Sequence, residues 1–363
     1  MTASVDLFCR VIDNLGDIGV SWRLARQLAG EKGCTVRLWV DDLSSLRKLE
    51  PDIDLSLALQ TVRSVCVHAW DPAVLSFDID SPADMVIAAF SCDLPDAYLR
   101  RMVERRSLHP TRWIQLEYLS AEPWVEDFHQ RSSLRSDGLS PIFFFPGFTP
   151  QTGGLIREDD IGSVTPPPDR QWLSSLGLSD DDIATPRIVS VFTYPGAPLL
   201  EWARQLEQLE TSTLVLIPQG VRTQLDSAHS PQFSRVRWKS IPFLRQPDYD
   251  RLLRSMDFNI VRGEDSFVRA IWAGKPFVWH IYPQEQRVHH EKLQAWLNRA
   301  GLPAGVHQLM HQWSDGLAPA AWNDWLSGLS WGVWQQTCLQ HRQQLFEQED
   351  LATQLLRLMH PDP

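Results

Sequence analysis

Short apolar runs that alternate with helix-forming segments are the feature that most constrains the fold of this 363-residue chain. The predicted strands of the first half are 5–12, 35–40, 85–90 and 113–119. Those of the second half are 187–192, 214–217, 236–240, 258–261 and 277–279. Strands that alternate with helices predict parallel sheets covered on both faces, and ligands of such sheets collect beyond the carboxyl ends of the strands. The sequence therefore predicts an α/β protein built from two similar halves.

The composition changes between residues 148 and 186, where two adjacent glycines, three adjacent prolines and an acidic run follow one another. Such a stretch is typical of a crossing between domains. We predict one domain over residues 1–170 and a second over 171–330, facing each other across a central cleft. The segment 331–363 is predicted to form one or two terminal helices that can pack back on the first domain.

The composition also narrows the classes of partner. Hydrophobic residues make up 43% of the chain, enough to bury a large core. The 45 acidic residues outnumber the 34 Lys and Arg, for a formal net charge of −11. An acidic surface disfavours nucleic acid as a partner and favours a basic protein surface.

Two features predict a cytoplasmic protein. The five cysteines form no C-x-x-C pair, and their odd number argues against a disulfide scaffold. The first residues lack the basic flank and apolar region of a signal peptide, and nowhere do eighteen apolar residues run together. We therefore expect neither export nor a membrane partner.

The stretch 262–276 combines a break after a strand, a helix start and a helix stop. Gly263 breaks the apolar run, and three polar residues then open a helix: Glu264, Asp265 and Ser266. A helix N-terminus that carries a hydroxyl donor is the usual chemistry of a diphosphate site. Glu264 is expected to turn toward sugar hydroxyls, and Arg262 to balance the charge. An ordinary strand-to-helix connection with an Asp/Ser cap explains the same spacing equally well.

A second loop, from Asp13 to Gly19, follows the first predicted strand and precedes a helix predicted over 21–29. A carboxylate of Asp13 or Asp17 that faces a substrate can act as a general base. The alternative is that the two aspartates cap the turn and the helix.

Loops of the second half add aromatic and amide side chains near the ends of predicted strands. The residues singled out are Phe192, Tyr194, Phe243, Gln246 and Tyr249. The rings can stack on a nucleobase, the amide can bind its edge, and a tyrosine hydroxyl can donate to a phosphate. Packing of each ring on the core is the competing interpretation.

Several common motifs are absent from the sequence. It has no G-x-x-x-x-G-K-[ST], no G-x-S-x-G and no G-x-G-x-x-G, which disfavours kinase, hydrolase and dehydrogenase functions. No Cys/His cluster has zinc spacing, so we predict no bound metal.

Two long motifs, Asp13–Arg26 and Arg262–Ala270, followed by Tyr282-Pro283-Gln284, together resemble the bacterial elongation factor P arginine rhamnosyltransferases known as EarP. The resemblance extends over the whole chain. It implies a GT-B glycosyltransferase with two Rossmann-like domains, the first on the acceptor side and the second binding the nucleotide sugar. It further implies metal-independent, inverting transfer of L-rhamnose from dTDP-β-L-rhamnose to an arginine of elongation factor P, which supports translation of polyproline stretches.

The resemblance also implies roles for individual residues. Asp17 matches the general base and Asp13 a supporting carboxylate. The donor pocket would comprise Phe192, Tyr194, Phe243, Gln246, Tyr249, Arg262, Glu264, Asp265 and Ser266. Taking a guanidinium of pKa above ~12 to its neutral form at pH 7 costs on the order of 7 kcal/mol, so Asp17 is expected to accept the proton only as the new bond forms.

Two other functions stay open from the residues. One is a GT-B glycosyltransferase that uses another nucleotide sugar and a glycan or lipid acceptor. The other is a non-catalytic module that binds a nucleotide sugar or a protein.

Overall fold

The computed structural model describes residues 2–12, 15–71, 81–221, 233–318, 322, 326 and 328–359. The chain divides into two compact units, each with its own sheet. The first unit comprises Met1–Ile161 and Glu347–Pro363, and the second comprises Gly162–Phe346. The division lies in the stretch for which we predicted a crossing, nearer the N-terminus than residue 170. The terminal segment is shared between the units.

The first unit is built on a seven-stranded sheet of order β3-β4-β2-β1-β5-β6-β7. Its strands are β1 Ser4–Cys9, β2 Thr35–Val40, β3 Leu59–Val62, β4 Val65–Ala69, β5 Met85–Ala89, β6 Arg112–Leu116 and β7 Ile142–Phe144. All neighbouring pairs are parallel except β3 with β4. Strand β5, next to the central strand β1, is buried at every position, as expected for a strand covered on both faces.

Helices of the first unit are α1 Gly16–Gly30, α2 Leu43–Leu49, α3 Asp96–Arg105, α4 Trp124–Phe128 and, at the C-terminus, α12 Leu351–Arg357. Helix α12 buries Leu351, Ala352 and Leu355 in the same core cluster as the inner residues of α1. Helix α1 begins at Gly16, ahead of the predicted start at residue 21, so its first turn includes Gly16 and Gly19.

The second unit is built on a five-stranded, all-parallel sheet of order β10-β9-β8-β11-β12. Its strands are β8 Arg187–Val191, β9 Thr213–Pro218, β10 Val236–Ile241, β11 Phe258–Arg262 and β12 Phe277–His280. Because all five run in one direction, the loops that follow them emerge at one edge of the sheet. That edge carries the donor-pocket residues predicted from the sequence.

Helices of the second unit are α5 Asp180–Ile183, α6 Leu199–Leu206, α7 Gln246–Ser255, α8 Asp265–Ala273, α9 Val288–Ala300, α10 Ala304–Ser314 and α11 Gly328–Phe346, with short 3-10 helices at Gln171–Leu176 and Glu285–Arg287. Helix α8 ends as predicted, at Gly274 in the left-handed conformation with φ 65°. In the described part of the chain, none of the helices is both long and apolar enough to cross a membrane.

Candidate active site

Three adjacent strands of the second sheet bring together six of the nine predicted donor-pocket residues, and the chain that follows β10 carries the other three. Strand β11 lies between β8 and β12, and Arg262 at its end is paired in register with His280. The chain leaving β8 carries Phe192 and Tyr194, and the chain leaving β11 passes through Gly263 into α8. This part of the site is therefore built from adjacent strand ends of one parallel sheet.

Arg262 is the centre of this cluster. Its guanidinium carbon lies 4.2 Å from the ring centroid of Phe192 and 4.9 Å from that of Tyr194. Its Nη1 donates a hydrogen bond of 3.0 Å to the backbone carbonyl of Thr193. Cation–π contact with two rings and a bond to the loop between them hold the guanidinium in one orientation. A cation fixed in this way is suited to an anionic ligand.

The turn into α8 brings backbone donors beside this cation. Gly263 has φ 65°, a left-handed conformation that favours glycine, and Glu264 occupies the N-cap position. The hydroxyl of Ser266 donates to the backbone carbonyl of Arg262. We predicted this hydroxyl as a donor to the ligand, and donation to a phosphate would require the bond to Arg262 to break.

Each of the two carboxylates in this turn has a basic side chain near it. Oε1 of Glu264 lies 2.7 Å from Nζ of Lys292, on α9. Asp265 accepts a 3.2 Å hydrogen bond from Nε2 of Gln246, and its Oδ1 lies 4.0 Å from Nε of the buried Arg269. These cations offset the negative charge that the sequence places beside a predicted diphosphate site.

The aromatic side chains extend the cluster toward α7. The ring centroid of Phe192 lies 6.4 Å from that of Phe243 and 5.9 Å from that of Tyr249, both edge-on. Burial raises the pKa of the Tyr249 phenol, so it stays protonated at neutral pH. Phe243 is 37% exposed, which leaves part of its ring open to a stacking partner. All nine predicted donor-pocket residues therefore belong to one network of contacts or flank it directly in the chain.

Sequence reasoning missed three residues of this network: Lys292, Arg269 and His280. Arg269 had a detectable signal, since it follows Asp265 by four positions on a helix. Lys292 and His280 are brought to the cluster by the fold from distant parts of the chain, and no local spacing indicates them.

In the first unit, Asp17 lies in the first turn of α1, near the carboxyl end of β1. It is only 2% exposed, and its Oδ2 accepts a 2.9 Å hydrogen bond from the backbone N–H of Ile12. Its Oδ1 accepts one of 3.3 Å from the hydroxyl of Tyr118, whose ring stacks on Phe90. The N-cap position of α1 is Leu15, so Asp17 is not the capping residue. The second predicted carboxylate, Asp13, lies outside the described residues.

Within the ranges that the structure describes, no group of three or more His, Cys, Asp or Glu residues is arranged to hold a metal ion.

The sequence is similar to one known protein family along most of its length. A family profile described as elongation factor P (EF-P) rhamnosyltransferase EarP matches residues 5–360. The protein-arginine rhamnosyltransferase of Pseudomonas putida is 45% identical over 316 residues, covering 82% of this chain and 81% of that protein. Its counterpart in Pseudomonas aeruginosa is 42% identical over 325 residues, covering 84% of each.

Solved structures give the same result. A structure concerned with the structural basis for EarP-mediated arginine glycosylation of translation elongation factor EF-P has a TM-score of 0.62 and 28% identity, covering 100% of both chains. The spinosyn rhamnosyltransferase SpnG has a TM-score of 0.53 at 14% identity, covering 98% of this chain and 99% of that one, a likeness of fold alone. These findings confirm both the predicted GT-B fold class and the resemblance drawn from the two motifs. The chain belongs to the EarP family of elongation factor P rhamnosyltransferases, which are glycosyltransferases.

Proposed function

We propose that this protein is an inverting transferase that moves L-rhamnose from dTDP-β-L-rhamnose to an arginine side chain of elongation factor P. The observation that carries the proposal is the guanidinium of Arg262, held between Phe192 and Tyr194 beside the start of α8. A fixed cation next to the N-terminus of a helix suits the diphosphate of a nucleotide sugar. The relatives named protein-arginine rhamnosyltransferase support the sugar and the acceptor side chain.

On the donor side, the bond that breaks joins the anomeric carbon to the diphosphate, and its electron pair leaves with the nucleotide. We assign stabilisation of this developing charge to Arg262 and the first backbone N–H groups of α8, with Tyr194 as a further hydroxyl donor. This assignment needs no metal, because protein cations and dipoles supply the charge. Phe243 and Gln246 are assigned to the nucleobase, and Glu264 to hydroxyls of the sugar or ribose.

On the acceptor side, we assign the general base to Asp17. Its two oxygens are oriented by the N–H of Ile12 and the hydroxyl of Tyr118. A carboxylate can bind the acceptor guanidinium by charge-assisted hydrogen bonds and direct one nitrogen at the anomeric carbon. As the C–N bond forms, the acidity of that nitrogen rises and its proton passes to Asp17. Asp13 is assigned a supporting role in binding the guanidinium.

The acceptor is proposed to be a protein, so contacts away from the arginine contribute to orienting it. Free arginine should therefore be a poor acceptor. The net charge of −11 favours a basic surface on the partner. We place the reaction in the cytoplasm, where the modified factor supports translation of polyproline stretches.

The proposal is tested by incubating the full-length protein with elongation factor P and dTDP-β-L-rhamnose and measuring the intact mass of the factor. We expect one added deoxyhexose. The matched controls are a factor whose acceptor arginine is replaced by lysine, a reaction with free arginine, and a panel of uridine and guanosine diphosphate sugars. All of these should give no product.

If the protein transferred sugar from a uridine diphosphate sugar and not from dTDP-β-L-rhamnose, the proposed donor would be wrong. Tight binding of dTDP without transfer to a competent factor would favour a non-catalytic binding module.

A further inference from the structure

His280 stands at the end of β12 and contacts the chain that leaves β8, across the intervening strand β11. Its imidazole is almost fully buried. Nδ1 accepts a hydrogen bond of 3.3 Å from the backbone N–H of Tyr194, and it is also within hydrogen-bond distance of the Thr193 hydroxyl. One ring nitrogen thus meets two consecutive residues of the loop that carries Tyr194.

The chemistry of these partners fixes the state of the ring. A backbone N–H can only donate, so Nδ1 must carry a lone pair, and the Thr193 hydroxyl must donate to it as well. The imidazole is then neutral, with its proton on Nε2. Burial, reinforced by the nearby Arg262, lowers the pKa of His280 to about 4, consistent with a neutral ring at physiological pH.

The same loop is held from its other side. The carbonyl of Thr193 accepts from Arg262, and the rings of Phe192 and Tyr194 lie against that guanidinium. The edge of the Tyr194 ring also meets His280, with ring centroids 5.3 Å apart. If Nδ1 stopped accepting, the segment would lose its hydrogen bonds on the His280 side, and Tyr194 would no longer be held against Arg262 from both sides.

We propose that His280 is a positioning residue for the donor site: its unprotonated Nδ1 holds Thr193 and Tyr194 so that Arg262 is oriented toward the diphosphate. The inference rests on the proposed function, because it assigns the diphosphate to Arg262. His280 itself need not touch the nucleotide.

The chain offers a matched control in His129. Its Nδ1 also accepts a backbone N–H, that of Phe145, at 3.1 Å, and burial likewise lowers its pKa to about 4. It belongs to the first unit and has no part in the network around Arg262. Replacing His129 therefore removes the same kind of bond without altering the proposed donor site.

The experiment uses four full-length proteins: the wild type, His280→Leu, His280→Asn and His129→Leu. Asparagine can place its Oδ1 close to the position of Nδ1, whereas leucine has no acceptor. Calorimetric titration with dTDP measures the nucleotide affinity of each. We expect His280→Leu to raise the Kd for dTDP about tenfold, the loss of roughly one to two net hydrogen bonds. His280→Asn should recover most of the affinity, and His129→Leu should match the wild type.

The nitrogen-15 resonances of His280 in the wild-type protein give a readout independent of the donor. Nδ1 should show the chemical shift of an unprotonated nitrogen and Nε2 that of a protonated one. A proton on Nδ1, equal weakening in His280→Asn and His280→Leu, or equal weakening in His129→Leu would each overturn the proposal.

If His280→Leu fails to fold, the affinity of His280→Asn for dTDP and the nitrogen-15 spectrum of the wild type still test the proposal. Failure of the wild type to bind dTDP would instead remove the proposed function, while the spectrum would continue to report the contact with the Tyr194 loop.

Discussion

The carboxyl ends of the two sheets follow the same plan of strand, short connection and helix, yet they present opposite charge. In the first unit, the connection after β1 places the carboxylate of Asp17 in the first turn of a helix, where a backbone N–H and a tyrosine hydroxyl donate to it. In the second unit, β11 ends at the guanidinium of Arg262, held between two rings.

In the proposed reaction, this difference lets one architecture serve two substrates. A buried carboxylate suits an incoming guanidinium, and a fixed guanidinium suits a diphosphate. Acidic residues also lie at the second site, but basic groups stand beside them: Lys292 beside Glu264, and Arg269 near Asp265. The local sequence alone, with carboxylates in both connections, does not reveal this division.

The largest expected effect comes from replacing Asp17, the carboxylate of the first unit. Asp17→Asn keeps the shape of the side chain but lacks a basic oxygen, so transfer should fall by ~10²–10⁴-fold or more. The affinity for dTDP should be unchanged. Initial rates from the intact mass of elongation factor P and calorimetry with dTDP measure the two quantities, and a fully active variant would remove Asp17 from the mechanism.

Replacing Arg262, the guanidinium of the second unit, should instead affect binding and reaction of the nucleotide sugar. Arg262→Lys retains a charge but loses the planar guanidinium that contacts Phe192, Tyr194 and the carbonyl of Thr193. We expect transfer to fall ~10²–10³-fold, as when a donor to a developing negative charge is lost. The same variant should have a higher Kd for dTDP than the wild type. Wild-type affinity and rate in Arg262→Lys would contradict the assignment of the diphosphate to this residue.

Acid should destabilise the folded state of each unit by protonating one buried histidine, His129 in the first unit and His280 in the second. Burial lowers the pKa of His129 and of His280 from 6.5 to about 4, so between these values the unfolded chain binds more protons than the folded chain. Their contribution to the free energy of unfolding is complete above pH 6.5 and is lost as the pH falls toward 4. Chemical denaturation at several pH values across this range measures the free energy of unfolding. As the pH falls, that free energy should decrease less steeply in His129→Leu and in His280→Leu than in the wild type. An unchanged pH dependence in either variant would refute the linkage for that histidine.

The smallest expected effect is on the turn that presents Arg262. Gly263 has φ 65°, and a Cβ there would lie 3.6 Å from the Tyr194 hydroxyl, an ordinary contact. Only the backbone conformation is then strained, so Gly263→Ala should lower the free energy of unfolding by about 1–2 kcal/mol. Gly30→Ala is the control, because nothing lies within 4 Å of its Cβ position and its φ is ordinary. Equal stability of the two variants in denaturant titrations would show that the turn is not strained by a side chain.

The predictability of the strands depended on their place in the sheet. Strand β2, in the interior of the sheet, was predicted with the observed bounds, because it is apolar and has clear breaks at both ends. The edge hairpin of β3 and β4 was missed. Its two-residue turn is Arg63-Ser64, with φ 51° and 64°, a geometry usually marked by Asn-Gly or Gly-Gly. A hairpin without those residues gives no local signal.

The sequence by itself determined the α/β class, the positions of most strands in the chain, the end of α8 at Gly274 and the identity of the polar residues that gather at the proposed donor site. These features depend on hydrophobic periodicity and on backbone preferences, which act over a few residues. Only the tertiary structure decided the partners: Arg262 with Phe192, His280 with the Tyr194 loop, and Glu264 with Lys292. Each of these pairs joins distant positions in the chain. The first two meet because parallel strands return to one edge of the sheet, and the third because Lys292 on α9 lies beside the start of α8.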